Sequence, residues 1–87
     1  MALFEVSYDL RKPGRNYQSL YDRLAAWGAF RVLESVWIIN SNSSAVAIRD
    51  DLLKQIDSGD GLLVTQISAA AWNNLDGESG ERLKKSF

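Results

Sequence analysis

The sequence contains no cysteine and no histidine, and these two absences exclude much of the common chemistry of protein sites. Without cysteine there is neither a disulfide framework nor a thiolate ligand for a metal. Without histidine there is no serine–histidine or cysteine–histidine nucleophile, and most zinc sites are excluded as well. Carboxylates, hydroxyls, tyrosines and cations remain, and carboxylates suit hard ions such as Mg²⁺.

Long apolar runs are also missing, so no segment reaches the ~20 residues that a membrane-spanning helix needs. The first residues have no basic segment ahead of an apolar core, so we expect no signal peptide, no membrane partner and a cytoplasmic location. The net charge of −1 argues against indiscriminate coating of nucleic acid, although a local basic patch could still bind it. The 87 residues indicate one domain, of a size often stabilised by dimerisation.

The spacing of apolar residues predicts strands at 2–10 and 62–68 and helices at 17–27 and from Ser43 or Ser44 to about residue 56. Asn16 is the predicted N-cap of the first helix, and Gly28 is predicted to end it in a left-handed conformation. Residues 30–40 are long for one strand. They predict two strands that meet at Glu34-Ser35, although no turn residue marks the reversal and a single bent strand remains an alternative.

This order of elements, βαββαβ, predicts an α+β sandwich of ferredoxin-like topology, with two helices on one face of an antiparallel sheet. The core is expected within residues 2–68, and the tail, 69–87, is expected to end in a short helix that needs docking to be stable. The other face of the sheet needs polar residues or a partner. Phe4, Trp37 and Val64 are expected either on that face or in the core.

The first candidate site lies where the first strand ends, at Asp9, with Arg11, Lys12 and Arg15 following around the only proline. A carboxylate at a strand end can bind magnesium while neighbouring cations hold the phosphates on which it acts. The alternative interpretation is a turn with solvated cations. Arg31, Glu34 and Ser35 could approach Asp9 if their segment lies beside the first strand, or could simply face solvent.

Two other groups of residues give weaker indications of a functional site. The segment from Asp57 to Gly61 does not have the acid spacing of a calcium loop, and it is not a phosphate loop, since no Lys-Ser/Thr follows and a strand comes next. It is interpreted as a turn. Trp27, Trp37 and Trp72 are typical of core or docking residues, because no basic–aromatic alternation indicates binding of single-stranded nucleic acid.

The segments "VSYDL" and "RVLESVW" together resemble the Cas-two family, the smaller nucleases of CRISPR adaptation, in which Tyr-Asp ends the first strand and Ser-Val-Phe lies in the middle strands. Here these motifs are Tyr8-Asp9 and Ser35-Val36-Trp37. Residues 7–37 are similar to stand-alone relatives called SinR family proteins, and the virulence-associated protein D toxins share the fold. The resemblance covers about residues 2–68. Tryptophan in place of phenylalanine and the stiff Pro13-Gly14 are departures from the family.

The resemblance implies a ferredoxin-like homodimer in which Asp9 from each chain holds a divalent metal, with Mg²⁺ as the possible cofactor. Tyr8 and Ser35 would accompany Asp9 at the catalytic site. The residues that would contact RNA or DNA are Arg11, Lys12, Arg15, Arg31 and Trp37.

The leading hypothesis is therefore a magnesium-dependent endonuclease of RNA or DNA. The alternatives are a non-catalytic dimeric scaffold that binds nucleic acid or a partner protein, and a toxin-type ribonuclease.

Overall fold

In the computed structural model, which describes residues 1–87, the chain forms four strands and three α-helices. The elements in chain order are β1 (Ala2–Asp9), α1 (Gln18–Ala26), β2 (Phe30–Leu33), β3 (Val36–Ser41), α2 (Ala45–Leu52), β4 (Gly61–Ile67) and α3 (Ser79–Lys85). The chain is thus an α+β protein, as its alternating apolar patterns predict. None of its helices combines the length and the apolar character needed to cross a bilayer.

The four strands form one antiparallel sheet in the order β2-β3-β1-β4. Residue Val6, in the middle of the central strand β1, pairs with Trp37 of β3 on one side and with Val64 of β4 on the other. The prediction of two strands within residues 30–40 is confirmed, and the chain reverses at Glu34-Ser35. The irregular register between Arg31 and Leu33 accommodates this reversal without a glycine or proline.

Helices α1 and α2, which the periodicity of apolar residues predicts, pack on one face of the sheet. Alternate residues of β1 point to that face, where Phe4, Val6 and Tyr8 are buried. The helices contribute Leu20 and Leu24 from α1 and Ile48 and Leu52 from α2, with Ile56 beyond α2. Trp37 is buried in the same cluster and Val64 packs against it, so both belong to this core.

The ends of α1 and α2 differ in detail from the sequence prediction. At the start of α1, Asn16 accepts a hydrogen bond from the amide of Gln18 at 2.9 Å, while the residue at the cap position itself is Tyr17. Gly28, at φ 78°, follows α1 in the predicted left-handed conformation. Ser44 caps α2 by accepting from the Ala47 amide at 3.1 Å. The predicted helix to residue 56 is wrong at its end, since a 3-10 turn, Leu53–Gln55, replaces the last part.

The C-terminal tail covers part of the other face of the sheet. Leu83 of α3 is buried in a second cluster with Leu3, Val32 and Ile38. The amide of Asp76 donates to the carbonyl of Val32 at 3.0 Å and so ties the tail to β2. This docking provides the tertiary contacts that a seven-residue helix needs. On the β4 side the same face stays open, and Leu63 is 59% exposed.

Candidate functional site

Asp9, the residue on which the functional hypothesis depends, is the last residue of β1. Strand alternation places its side chain on the face opposite α1 and α2, because Tyr8 points into their cluster. The Asp9 side chain is 71% exposed. It lines an open groove of about 290 Å³ together with Ser7, Gly61 and Leu63. The carboxylate is therefore accessible to solvent and to a ligand.

Arg11 forms an ion pair with Asp9, with 2.9 Å between its Nε and the carboxylate Oδ2. Gly61 lies directly opposite Asp9 in the β1–β4 register. A Cβ atom at Gly61 would lie 2.9 Å from Nη2 of Arg11, so the glycine leaves the space in which the guanidinium lies. The cation nearest to Asp9 is thus held beside it by strand pairing across the groove.

The other cations of the β1–α1 loop contact an aspartate of the loop before β4. Nζ of Lys12 and Nη1 of Arg15 lie 3.4 Å and 3.6 Å from Oδ1 of Asp57. These contacts join two loops that are 45 residues apart in the chain. The three cations proposed to hold phosphate are therefore not free in the folded chain, because each of them forms an ion pair with an aspartate.

Asp60 is the main hydrogen-bond acceptor between these two loops. Its carboxylate accepts from the Arg11 amide at 2.7 Å, from the Tyr17 hydroxyl at 2.8 Å and from the Asp57 amide at 2.8 Å. Partial desolvation raises the pKa of Asp60, but these hydrogen bonds to the charged form outweigh it and hold the pKa below its ordinary value of 3.8. Burial and the hydrogen bond to Asp60 raise the pKa of Tyr17.

Acid is expected to weaken this loop pairing. A carboxylate whose pKa is depressed in the folded state binds fewer protons there than in the unfolded chain, so it stabilises the fold above its unfolded pKa. That contribution is lost as the pH falls below about 3.8 toward the folded pKa. Asp51 acts in the same direction, because the hydrogen bonds from Arg23 lower its pKa.

Thermal melting between pH 6 and pH 2.5 tests this expectation. The melting temperature should fall with acid in the wild type, and it should fall less steeply in Asp60→Asn, which has no proton to gain at that position. Identical slopes for the two proteins would contradict a role for Asp60 in the pH dependence. Gln66→Asn, at an exposed position of β4, changes no titratable group and is the control that should keep the wild-type slope.

Tyr8 lies on the opposite face from Asp9, within a hydrogen-bonded network at the same end of the sheet. Nε1 of Trp37 donates to the Tyr8 hydroxyl at 2.9 Å, and that hydroxyl donates to the carbonyl of Glu34 at 3.4 Å. Burial raises the pKa of Tyr8 despite the hydrogen bond from Trp37. Ser35 contributes its backbone carbonyl, which accepts from the Tyr8 amide at 3.1 Å.

Arg31 belongs to this network rather than to the Asp9 groove. Its Nε and Nη2 donate to the carbonyl of Glu34, and Nη2 also lies 3.3 Å from the Tyr8 hydroxyl. The guanidinium carbon lies 5.1 Å from the ring centre of Tyr21 and 5.6 Å from that of Trp37. The structure thus separates the predicted site residues into two groups on opposite faces, one around Asp9 and one around Tyr8.

The donor set for a metal ion is small in a single chain. No group of three or more carboxylates in the chain could hold a metal. Asp9 provides one accessible carboxylate of the hard-oxygen type that Mg²⁺ prefers. One Asp9 carboxylate provides only part of a magnesium site, so the other ligands would have to come from water, a substrate or a second chain.

Asp57, Asp60, Tyr17 and Gly61 are the residues of this region that the sequence patterns did not connect with Asp9. The turn interpretation of residues 57–61 is consistent with the hydrogen bonds within the loop, such as that from the Gly59 amide to Asp57. The available signal in the sequence was charge. A basic turn follows β1 and an acidic turn precedes β4, and these two strands are neighbours in the sheet. Recognising it requires knowing that β1 pairs with β4.

Comparisons with known proteins add no support for a function of these residues. No family model matches the chain, and no solved structure matches it significantly. The resemblance to the Cas-two family consequently depends on the short motifs around Tyr8-Asp9 and Ser35-Val36-Trp37. What the geometry adds is an exposed carboxylate with one arginine beside it, in a groove open to solvent.

Proposed function

We propose that the protein is a Cas-two-like homodimer of ferredoxin-like topology that hydrolyses phosphodiester bonds of RNA or DNA with Mg²⁺. The observation that carries this proposal is the position of Asp9, an exposed carboxylate at the end of β1 that faces an open groove. The element order and the sheet order β2-β3-β1-β4 are those expected of a ferredoxin-like domain and support that part of the proposal.

Two chains would be needed to complete the site. Two Asp9 carboxylates that approach each other across a two-fold axis repel, and a divalent cation between them relieves this repulsion. The open part of the sheet face beside Asp9 includes the exposed Leu63, which a second chain would cover in the proposed dimer. The bound Mg²⁺ would supply an activated water and Lewis-acid stabilisation of the phosphoryl oxygens.

The residues of the chain would position the nucleic acid. Asp9 would hold the cation, and Arg11, released from its ion pair with Asp9, would contact a non-bridging phosphate oxygen. The oxygen of water forms a new bond to phosphorus, and the phosphorus–oxygen ester bond to the leaving sugar breaks. The proton lost by water passes to solvent, and the leaving oxygen takes up a proton, so the products are a phosphate monoester and a free hydroxyl.

Cleavage assays with and without Mg²⁺, on single- and double-stranded RNA and DNA, test the proposal. Asp9→Ala should lower the rate by on the order of 10²-fold or more, because it removes the proposed metal ligand. The matched control is Asp50→Ala, since Asp50 is also exposed and paired with an arginine, Arg49, at 2.8 Å. Equal activity of Asp9→Ala and wild type, or activity that survives EDTA, would overturn the proposal.

The mass of the particle in solution tests the dimer separately. Sedimentation of the wild type should give twice the 9.7 kDa of one chain. Leu63→Asp should shift the protein toward the monomer and lower cleavage with it, because a charge would be buried at the proposed contact. A monomeric wild type would remove the shared site, because one chain provides a single suitable carboxylate.

A specific observation favours the second candidate, a non-catalytic dimeric scaffold. Arg11, Lys12 and Arg15 are each paired with an aspartate, so the cations of the β1–α1 loop are partly neutralised and less suited to stabilise a reacting phosphate. A scaffold that binds nucleic acid through these cations should keep binding in Asp9→Ala and lose affinity as salt increases. Binding of a protein partner that is insensitive to salt would instead indicate a protein-interaction module.

A further inference from the structure

The chain contains six arginines, and two of them have no carboxylate partner. Arg11, Arg15, Arg23 and Arg49 each form an ion pair with an aspartate. The remaining two, Arg31 and Arg82, come from elements 51 residues apart and line the same groove. This groove lies at the β2 edge of the sheet, away from Asp9.

Arg31 is held in one orientation by contacts that use only part of its guanidinium. Its Nε and Nη2 donate to the Glu34 carbonyl and the Tyr8 hydroxyl, and its guanidinium carbon lies 5.1 Å and 5.6 Å from the ring centres of Tyr21 and Trp37. Its Nη1 donates to no protein group. An arginine that is oriented in this way and keeps free N–H groups loses little conformational entropy when it binds an anion.

Arg82, in α3, approaches the groove from the other side of β2. Its guanidinium carbon lies 4.4 Å from the ring centre of Phe30, in a cation–π contact. The Arg82 side chain makes no hydrogen bond or ion pair within the chain, so all of its N–H groups are available. Docking of α3 through Leu83, which is in the second cluster, fixes the position of this arginine relative to β2.

The groove itself is large enough for a small ligand. It is open to solvent, has a volume of about 430 Å³ and includes Ala29 and Trp37 in its lining. Asp76 and Glu78 also line it, and neither lies within 4.0 Å of a basic nitrogen. The two carboxylates reduce the positive potential of the groove, so binding of an anion would depend on direct contact with the guanidinium groups rather than on the long-range field.

We propose that this groove binds a phosphate monoester, with oxygens of one phosphate contacting both Arg31 and Arg82. A phosphate has three terminal oxygens and two negative charges, so it can accept from two guanidinium groups that approach from different sides. The nucleoside part of such a ligand would occupy the rest of the groove, whose volume is about 430 Å³. The phosphate group belongs either to a free mononucleotide or to the 5′-phosphorylated end of a nucleic-acid strand.

Titration of the wild-type protein with AMP, adenosine and inorganic phosphate tests the proposal, with binding followed by calorimetry and by backbone NMR shifts. AMP should bind and shift the amides of Phe30, Arg31 and Ser79, and adenosine should bind at least about tenfold more weakly. Added salt should weaken the binding of AMP. Equal affinities for AMP and adenosine, or no shifts at these residues with millimolar AMP, would overturn the proposal.

Three variants assign the effect to the groove. Arg82→Gln should weaken the binding of AMP by about tenfold or more, because it removes a charged donor from an exposed side chain that forms no hydrogen bond or ion pair within the chain. Glu78→Gln should tighten AMP by roughly threefold, since it removes a repelling charge. The control, Arg49→Gln, removes an arginine paired elsewhere and should leave affinity unchanged. Wild-type affinity in Arg82→Gln would refute the proposal.

The source of the phosphate is resolved with dinucleotides that carry either a 5′-phosphate or a 5′-hydroxyl. Tighter binding of the 5′-phosphorylated dinucleotide than of AMP would identify a strand end, and equal binding would identify a mononucleotide. Asp9→Ala should not change either affinity, because Asp9 lies on the β4 side of the sheet and outside this groove. Loss of cleavage and loss of AMP binding are therefore separate results.

Discussion

Replacing Leu83 with alanine is expected to lower the free energy of unfolding by about 2–4 kcal/mol and to release the C-terminal helix from the sheet. Leu83 is only 4% exposed, and it is the residue through which α3 packs in the second apolar cluster. Because α3 has seven residues, its own hydrogen bonds cannot hold it in helical form. Without the leucine, Leu3, Val32 and Ile38 would face water or a cavity.

Chemical denaturation measures this loss, and hydrogen exchange locates it. In Leu83→Ala, amides of residues 79–86 should exchange close to the rate of an unfolded peptide, while those of β1 and β3 remain protected. Leu53→Ala is the matched control, because Leu53 is 49% exposed and should change the free energy of unfolding by no more than about 0.5 kcal/mol. Unchanged protection of α3 in Leu83→Ala would contradict the docking described above.

Replacing Tyr8 with phenylalanine is expected to cost about 1–3 kcal/mol of the free energy of unfolding, although only one hydroxyl is removed. The buried Nε1–H of Trp37 donates to that hydroxyl at 2.9 Å and would be left without an acceptor. The Glu34 carbonyl would lose one of its donors and keep Arg31. The larger part of the cost therefore comes from the unpaired indole N–H.

A double-mutant cycle separates this pair from the general effect of substitution. Trp37→Phe removes the indole donor, so Tyr8→Phe should cost less in the Trp37→Phe background than in the wild type. Tyr21→Phe is the control, since Tyr21 stacks against Trp37 with ring centres 6.5 Å apart but its hydroxyl has no hydrogen-bond partner in the chain. Equal costs of Tyr8→Phe in both backgrounds would show that the two side chains are not coupled.

The Tyr8 hydrogen bonds and the docking of α3 both matter for the proposed binding sites, because they hold the side chains that would contact a ligand. The Tyr8 network fixes the end of β1 just before Asp9 and also orients Arg31. The docking of α3 brings Arg82 to the groove that contains Arg31. The Tyr8 side chain itself points away from the Asp9 groove, although its motif predicted a place at the catalytic site.

Local patterns were sufficient for most of the secondary structure. The alternation of apolar residues predicts β1 and β4 to within a residue or two. The left-handed Gly28 was predicted, and the cap of α2, predicted as Ser43 or Ser44, is Ser44. The reversal at Glu34-Ser35 was predicted from strand length alone and is confirmed. The end of α2 was not predicted, because the apolar stripe continues to the buried Ile56, although the residues of the 3-10 turn before it, Leu53–Gln55, are not buried.

The candidate site was predictable in part. The exposed position of Asp9 at a strand end follows from the apolar run before it and the turn after it. The aspartate partners of the cations in the β1–α1 loop could not be predicted from the sequence. Lys12 and Asp57, for example, are 45 residues apart and meet only because β1 and β4 are neighbours. For the same reason the groove between Arg31 and Arg82 had no signature in the sequence: it exists only after α3 docks on β2.

The sequence by itself determines which chemistry is possible: with no cysteine or histidine, the chain has carboxylates, hydroxyls and cations to work with. It also determines most helices and strands, because periodicity, caps and turns are properties of neighbouring residues. Tertiary structure alone decides which charges are neutralised and which arginines remain free. The physical reason is that an ion pair or a groove depends on distances in space, and strand order and helix docking set those distances.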